Sequence, residues 1–137
     1  IKALVDNRYD KIVNLNDKKM NFPFADLYAE KDGKKFIISV KARNKYQKNH
    51  TLNSRYNLGG NAYKNAAAAE KEYNAEAYWM AVQFDALTYS IYFGSLKELN
   101  QSKGIPIRKC EEGTVGECVV KDKRHYFDFS YFGNKKS

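Results

Sequence analysis

The sequence predicts a mixed α/β sheet domain. Three observations predict it. An Asp-Gly turn at Asp32-Gly33 joins two strand-like runs, an alanine-rich helical pattern spans Asn61–Asn74, and two more strand-like runs, Ala75–Phe84 and Leu87–Phe93, follow it directly. The 137 residues fit one domain, with a core over about 1–95 and a β-rich C-terminal extension over about 96–137.

The elements read as follows. Ile1–Asp6 has the look of a helix end, and Lys11–Asn16 alternates as a short strand. Asn16–Asn21 is polar and reads as a loop. Phe22–Glu30 reads as a strand with Pro23 near its start, where a missing N–H does least harm. Lys31-Asp32-Gly33-Lys34 is a hairpin turn, and Lys35–Arg43 is the returning strand. Its Phe36–Val40 run is nearly continuous in apolar character, as a central strand covered on both faces requires. Asn44–Gly60 is polar, basic and aperiodic, and predicts a long loop. Asn61 is placed to cap the helix, and Ala66–Ala69 suits it to close packing on a sheet. Asp85-Ala86 is a tight connection, Ser95–Leu99 a short helical turn, and Glu117–Lys121 and His125–Tyr131 are tail strands.

Charge is unevenly spread. The formal net charge is +8, and no acidic residue occurs from Gly33 to Ala69. That stretch carries Lys34, Lys35, Lys41, Arg43, Lys45, Lys48, Arg55 and Lys64, interleaved with Tyr46, Gln47, Asn49 and Tyr56. A one-signed segment mixed with aromatic and amide groups points to phosphates as partners; the plainer alternative is a solvated loop. The hydrophobic content of 43% is that of a folded domain rather than a disordered chain. No apolar run approaches the ~18 residues a membrane span needs. Cys110 and Cys118 have no zinc-like partners; they either bridge a hairpin loop or stay free thiols, and a reducing cytoplasm favours the thiols. His50 and His125 read as surface or phosphate-contacting groups rather than metal ligands.

The hairpin assembles a constellation. With Asp32 and Gly33 as the loop, Lys31 faces Lys34, which puts Asp26 opposite Ser39 and Phe24 opposite Lys41. Alternation then gives Asp26, Ser39 and Lys41 one face of the hairpin and Leu27, Ile38 and Val40 the other. A carboxylate beside a lysine near a strand end suits a divalent ion and a phosphate; the plainer alternative is an Asp–Lys pair at a sheet edge. Glu30 shares the strand but stands about 13 Å from Asp26 at strand rise, too far for a shared ion. Asp10 and Asp17 are other candidate acids.

Residues 22–43, FPFADLYAEKDGKKFIISVKAR, resemble the core of the PD-(D/E)XK nuclease superfamily. Pro23-Phe24-Ala25-Asp26 stands where the family has its first acid, and Ser39-Val40-Lys41 where it has acid-x-Lys. The helix and two strands that follow keep the family's element order, and the resemblance covers about residues 1–95. It implies a restriction-endonuclease-like fold: a mixed central β-sheet flanked by helices, here with a β-rich tail. It further implies a Mg²⁺- or Mn²⁺-dependent endonuclease hydrolysing DNA phosphodiester bonds, with RNA as the other nucleic acid such a site could take. On that reading Asp26, Ser39 and Lys41 are the catalytic set, and Asp26 and the Val40 carbonyl are metal ligands. Arg43, Lys45, Lys48, Arg55, Tyr63 and Lys64 contact the nucleic acid. A homodimer cutting both strands is one arrangement open to such an enzyme. Ser39 departs from the pattern, because a hydroxyl is a poorer magnesium ligand than a carboxylate, and Ile1–Asp6 lacks the glutamate common in the family's first helix. These departures keep open a second reading, a nucleic-acid-binding module without catalysis on the same fold.

Overall fold

The structure, a computed structural model, describes residues 1–18, 24–53, 55–99, 101–107 and 129–134. In chain order these form α1 (Lys2–Asp6), β1 (Asp10–Asn14), a 3₁₀ turn (Leu15–Lys18), β2 (Leu27–Lys31), β3 (Lys34–Asn44), β4 (Tyr56–Asn57) and α2 (Ala62–Tyr73). There follow β5 (Glu76–Asp85), β6 (Thr88–Ser95), a second 3₁₀ turn (Leu96–Leu99), β7 (Gly104–Ile105) and β8 (Phe129–Asn134). Among the described residues the main sheet has six strands in the order β1-β2-β3-β5-β6-β8, and β4 pairs with β7 in a separate small ladder.

The turn forms as its chemistry requires. Asp32 and Gly33 hold φ of 52° and 79°, the left-handed pair that a two-residue hairpin needs to match strand twist. The ladder runs from Lys31–Lys34 to Leu27–Ile38, all antiparallel. β3 then pairs in parallel with β5 from Phe36–Glu76 to Asn44–Phe84, with α2 as the crossover between them. The central position of β3 explains its apolar run: Phe36, Ile37, Ile38 and Ser39 are all buried.

Two cores sandwich the sheet. Ile37, Trp79, Ala81 and Tyr92 pack under α2, whose Ala62, Ala66 and Ala69 face inward and let helix and sheet approach closely. Phe36, Ile38, Met80 and Phe93 pack on the opposite face with Ala3 and Leu4 of α1. At its C-terminus α2 stops at Asn74, which takes the left-handed conformation (φ 50°, ψ 50°). The Glu70 side chain accepts the Ala77 N–H at 3.0 Å and so joins the helix to β5.

Three expectations change. Asn61 occupies the N-cap position but makes no side-chain cap bond. β2 begins at Leu27, not Phe22, because the backbone departs from the ladder at Asp26. Asn44–Gly60 is not a featureless loop: Tyr46 bridges Leu52, and β4 pairs with β7. Side-chain amides close that turn, a local bonding pattern that leaves no hydrophobic period to read. The tail strand expected at 125–131 is present from Phe129 as β8. Pro23, Cys110, Cys118, His125 and the strand expected at 117–121 lie outside the described residues. Among the described residues no helix is long and apolar enough to cross a membrane.

Candidate functional site

The candidate site lies where β2 ends and β3 continues. The Asp26 N–H donates to the Ile38 carbonyl at 2.8 Å, although the ladder pairs Ile38 with Leu27. Two residues therefore address one, a bulge that takes Asp26 out of register with Ser39. The burial pattern agrees: Ala25 packs in the α2-side core while Leu27 and Ala29 pack in the other, so alternation breaks between Ala25 and Leu27. Phe24, just before, holds φ of 84°, a conformation rarely taken by a residue with a Cβ.

The bulge sets the position of the carboxylate. Asp26 Oδ2 accepts the Val40 N–H at 2.8 Å, and Oδ1 accepts Asn16 Nδ2 at 3.3 Å. The carboxylate thus sits at the hydrogen-bonding edge of β3 and occupies a place that a neighbouring strand would otherwise fill. A strand residue presents its N–H and C=O to the same edge, so the Val40 carbonyl faces that edge as well. Ser39 and Lys41 take the α2 side, because they register with Trp79 and Ala81 of that core. Ser39 is only 3% exposed. Lys41 is half-buried and has no hydrogen bond or ion pair among the described residues.

Beyond Ile38 the free edge of β3 is dressed by side chains. Arg43 Nη1 donates to the Ala42 carbonyl at 2.7 Å, and Asn53 Nδ2 to the Asn44 carbonyl at 2.6 Å. Lys45 and Lys48 stand in the segment that follows. Arg55 donates to Ser102 Oγ at 3.0 Å, and the Tyr63 hydroxyl donates to the Ser102 carbonyl, so these two converge on the 101–105 segment rather than on Lys41. Burial raises the Tyr63 phenol above its usual range. Lys64 is exposed in the first turn of α2 and shares an open groove of about 630 Å³ with Tyr63, Gly59, Gly60 and Lys103.

Asp10 and Glu30 stand together, at the far end of β2 from Asp26. Asp10 pairs in register with Glu30 at the turn end of β2. Glu30 is held there by the Tyr28 hydroxyl at 2.9 Å and Lys11 at 3.6 Å. Asp17 stands in the first 3₁₀ turn, one residue after Asn16. No group of three or more His, Cys, Asp or Glu side chains gathers among the described residues. The donor set therefore fits a hard divalent ion only as a partial shell: one carboxylate and one backbone carbonyl, with the remaining positions left to water and a substrate phosphate.

Two buried donors on β5 were not singled out by sequence reasoning. Trp79 Nε1 and Gln83 Nε2 have no hydrogen-bond partner among the described residues, and Gln83 is only 2% exposed. Gln83 registers with Arg43, and a glutamine inside the apolar run 77–84 was a legible signal for it. Asn16, which bonds Asp26, gave no such signal.

A mixed sheet with a bulged hairpin at its centre, a parallel partner strand and a crossover helix defines the restriction-endonuclease-like fold. The solved structure of Hjc from Archaeoglobus fulgidus, described as a Holliday junction resolvase from an archaeal hyperthermophile, is similar to this chain with a TM-score of 0.53. The two share 18% identity over 75% of this chain and 77% of that one, a likeness of fold. No protein-family model and no curated protein matches the chain.

Proposed function

We propose that this chain is a metal-dependent nuclease that hydrolyses DNA phosphodiester bonds. The observation that supports this most is the Asp26 carboxylate fixed on the Val40 N–H, one residue before Lys41, where β3 outruns β2. The resolvase description of the structural neighbour brings DNA forward as the substrate class.

On this reading Asp26 and the Val40 carbonyl hold Mg²⁺ or Mn²⁺ together with the substrate. The ion, when bound, supplies charge neutralisation on a phosphate oxygen and an activated water. Asp26 is oriented by the Val40 N–H and Asn16 before substrate arrives. Lys41 offers its ammonium to the charge that develops on the phosphate. Ser39 offers a hydroxyl hydrogen bond at the place where the superfamily pattern has an acid. Arg43, Lys45, Lys48, Arg55, Tyr63 and Lys64 are assigned to the flanking phosphates, and the cytoplasmic setting rests on the sequence alone.

The test is nicking of supercoiled DNA with and without Mg²⁺ or Mn²⁺. Asp26→Ala and Lys41→Ala are each expected to lower cleavage by at least about a hundredfold; Lys41→Ala keeps the thermal unfolding midpoint near the parent's, whereas Asp26→Ala, which strips the acceptor from the Val40 N–H, lowers it. Cleavage at the parent's rate by both variants would overturn the assignment.

Ser39, and the placement of Asp10 and Glu30 away from Asp26, favour a second reading, a nucleic-acid-binding module without catalysis. That reading predicts salt-sensitive DNA binding with no nicking under either metal. Gain of nicking in Ser39→Asp but not in the parent would support it.

A further inference from the structure

The segment after β3 is a built hairpin whose asparagine side chains bond within it and whose tyrosine is turned to solvent. We infer that residues 45–53 form a stacking finger in which Tyr46 receives an unpaired base, so that the preferred ligand is DNA with a single-stranded arm. This rests on the nucleic-acid reading proposed above.

The finger is held at its root and along its length. The Lys45 N–H donates to the Phe84 carbonyl at 2.7 Å, which fastens it to the end of β5. The Asn53 N–H donates to the Lys45 carbonyl at 2.9 Å, and Asn53 Nδ2 reaches back to Asn44. Tyr46 bridges Leu52, and the Gln47 N–H donates to the Thr51 carbonyl at 2.7 Å. The His50 N–H closes the tip on the Gln47 carbonyl at 2.9 Å, with His50 at φ 65°. Such an element loses little freedom on binding.

Two of the side chains that could read a sequence, Asn49 and Asn53, are occupied within the hairpin. An asparagine discriminates adenine by offering its carbonyl and its amide N–H₂ together. Asn49 Oδ1 already accepts both the Thr51 N–H at 3.2 Å and the Thr51 hydroxyl at 2.6 Å. The Asn53 N–H₂ is committed to Asn44. The largest apolar surface that the finger presents outward is the Tyr46 ring, 48% exposed, with the Lys45 ammonium 5.7 Å from its centroid, and Gln47, the cation Lys48 and His50 are exposed at the tip. An aromatic face beside cations suits any base with a free π-face and its phosphates, whatever the sequence. A paired base inside a duplex offers no such face. At strand rise Tyr46 lies on the order of 17 Å along the chain from Lys41, so the stacked base and the phosphate at Lys41 are several nucleotides apart.

The test uses the full chain without divalent metal, a Y-shaped DNA with 2-aminopurine in its single-stranded arm, and a blunt duplex of equal length. Parent and Tyr46→Phe are expected to quench the 2-aminopurine and to prefer the Y-shaped DNA. Tyr46→Ala is expected to lose the quench and to bind that DNA about tenfold or more weakly, with blunt-duplex affinity nearly unchanged. Three results would overturn the inference: a quench retained by Tyr46→Ala, equal loss on both DNAs as groove reading would give, or failure of Tyr46→Phe. If the parent binds neither DNA, the nucleic-acid reading itself falls. If it binds or nicks DNA and Tyr46→Ala behaves as the parent, only the finger falls.

Discussion

At the scale of residues, Asp26 shows how little of a site need be regular. Its carboxylate does the work of a missing strand for Val40, and the bulge that allows this also ends the ladder. The chemistry of Asp26, Ser39 and Lys41 was legible as a pattern of residue types. Their geometry was legible only in part, because alternation and turn length predict a face whereas a bulge is an interruption of alternation. Ser39 and Lys41 follow the alternation, since β3 pairs with β5 without irregularity. Gln83 poses a separate question of stability. Its Nε2 is buried without an acceptor among the described residues, and an unsatisfied buried donor costs about 1–3 kcal/mol. Gln83→Leu is therefore expected to raise the stability of the DNA-free protein by about 1 kcal/mol, measured by urea unfolding. A fall of similar size would mean that the amide is satisfied in solution.

At the scale of elements, the hairpin, α2, β5 and β6 were readable because each carries a local signal: turn chemistry, a stripe of alanines, runs rich in Tyr, Val and Ile. The finger was not readable, because it is closed by Asn49, Thr51 and Asn53 rather than by apolar contacts. Contacts between distant elements were equally silent. The Tyr131 hydroxyl of β8 donates to Asp6 of α1 at 2.7 Å, and Lys2 approaches the same oxygen at 3.2 Å. The hydrogen bond from Tyr131, and then the one from Lys2, hold the Asp6 carboxyl below its usual range. A carboxyl whose pKa is depressed by folding stabilises the native state above its unfolded value and loses that effect as pH falls through its folded value. Docking of β8 on α1 is thus expected to loosen on acidification through and below the ordinary carboxylate range, and hydrogen exchange of the β8 amides would register it. Tyr131→Phe should remove most of that acid dependence while leaving exchange at neutral pH slightly faster. An unchanged acid response in the variant would show that the contact does not tie the two elements.

For the whole molecule, the acid-free stretch from Gly33 to Ala69 spans the returning strand, the finger, β4 and most of α2, so charge and architecture coincide. Electrostatic association with DNA releases counterions in proportion to the phosphates neutralised. The logarithm of DNA affinity should fall linearly with the logarithm of salt concentration, and Lys48→Ala and Lys64→Ala should each reduce that slope by about 0.9. Equal slopes in parent and double variant would place these two cations outside the interface. The fold class itself was legible because element order, the Asp-Gly turn and the central apolar run all agree. Which side chains meet across the sheet was not, because β3 and β5 are joined through a parallel crossover whose register no local signal encodes.

Order of assembly follows from that crossover. β2 and β3 are neighbours in the chain and can pair as soon as both exist, but their ladder stops at Leu27–Ile38. Among the described residues, β3 from Ser39 onward has a ladder partner only in β5, which is made after the finger and α2. Closing that long connection is the slower step in forming a parallel sheet. A growing chain that has reached only α2 therefore holds a hairpin but no fixed Lys41 or Arg43 and no anchored finger. These cationic groups take their places when the second half of the sheet arrives.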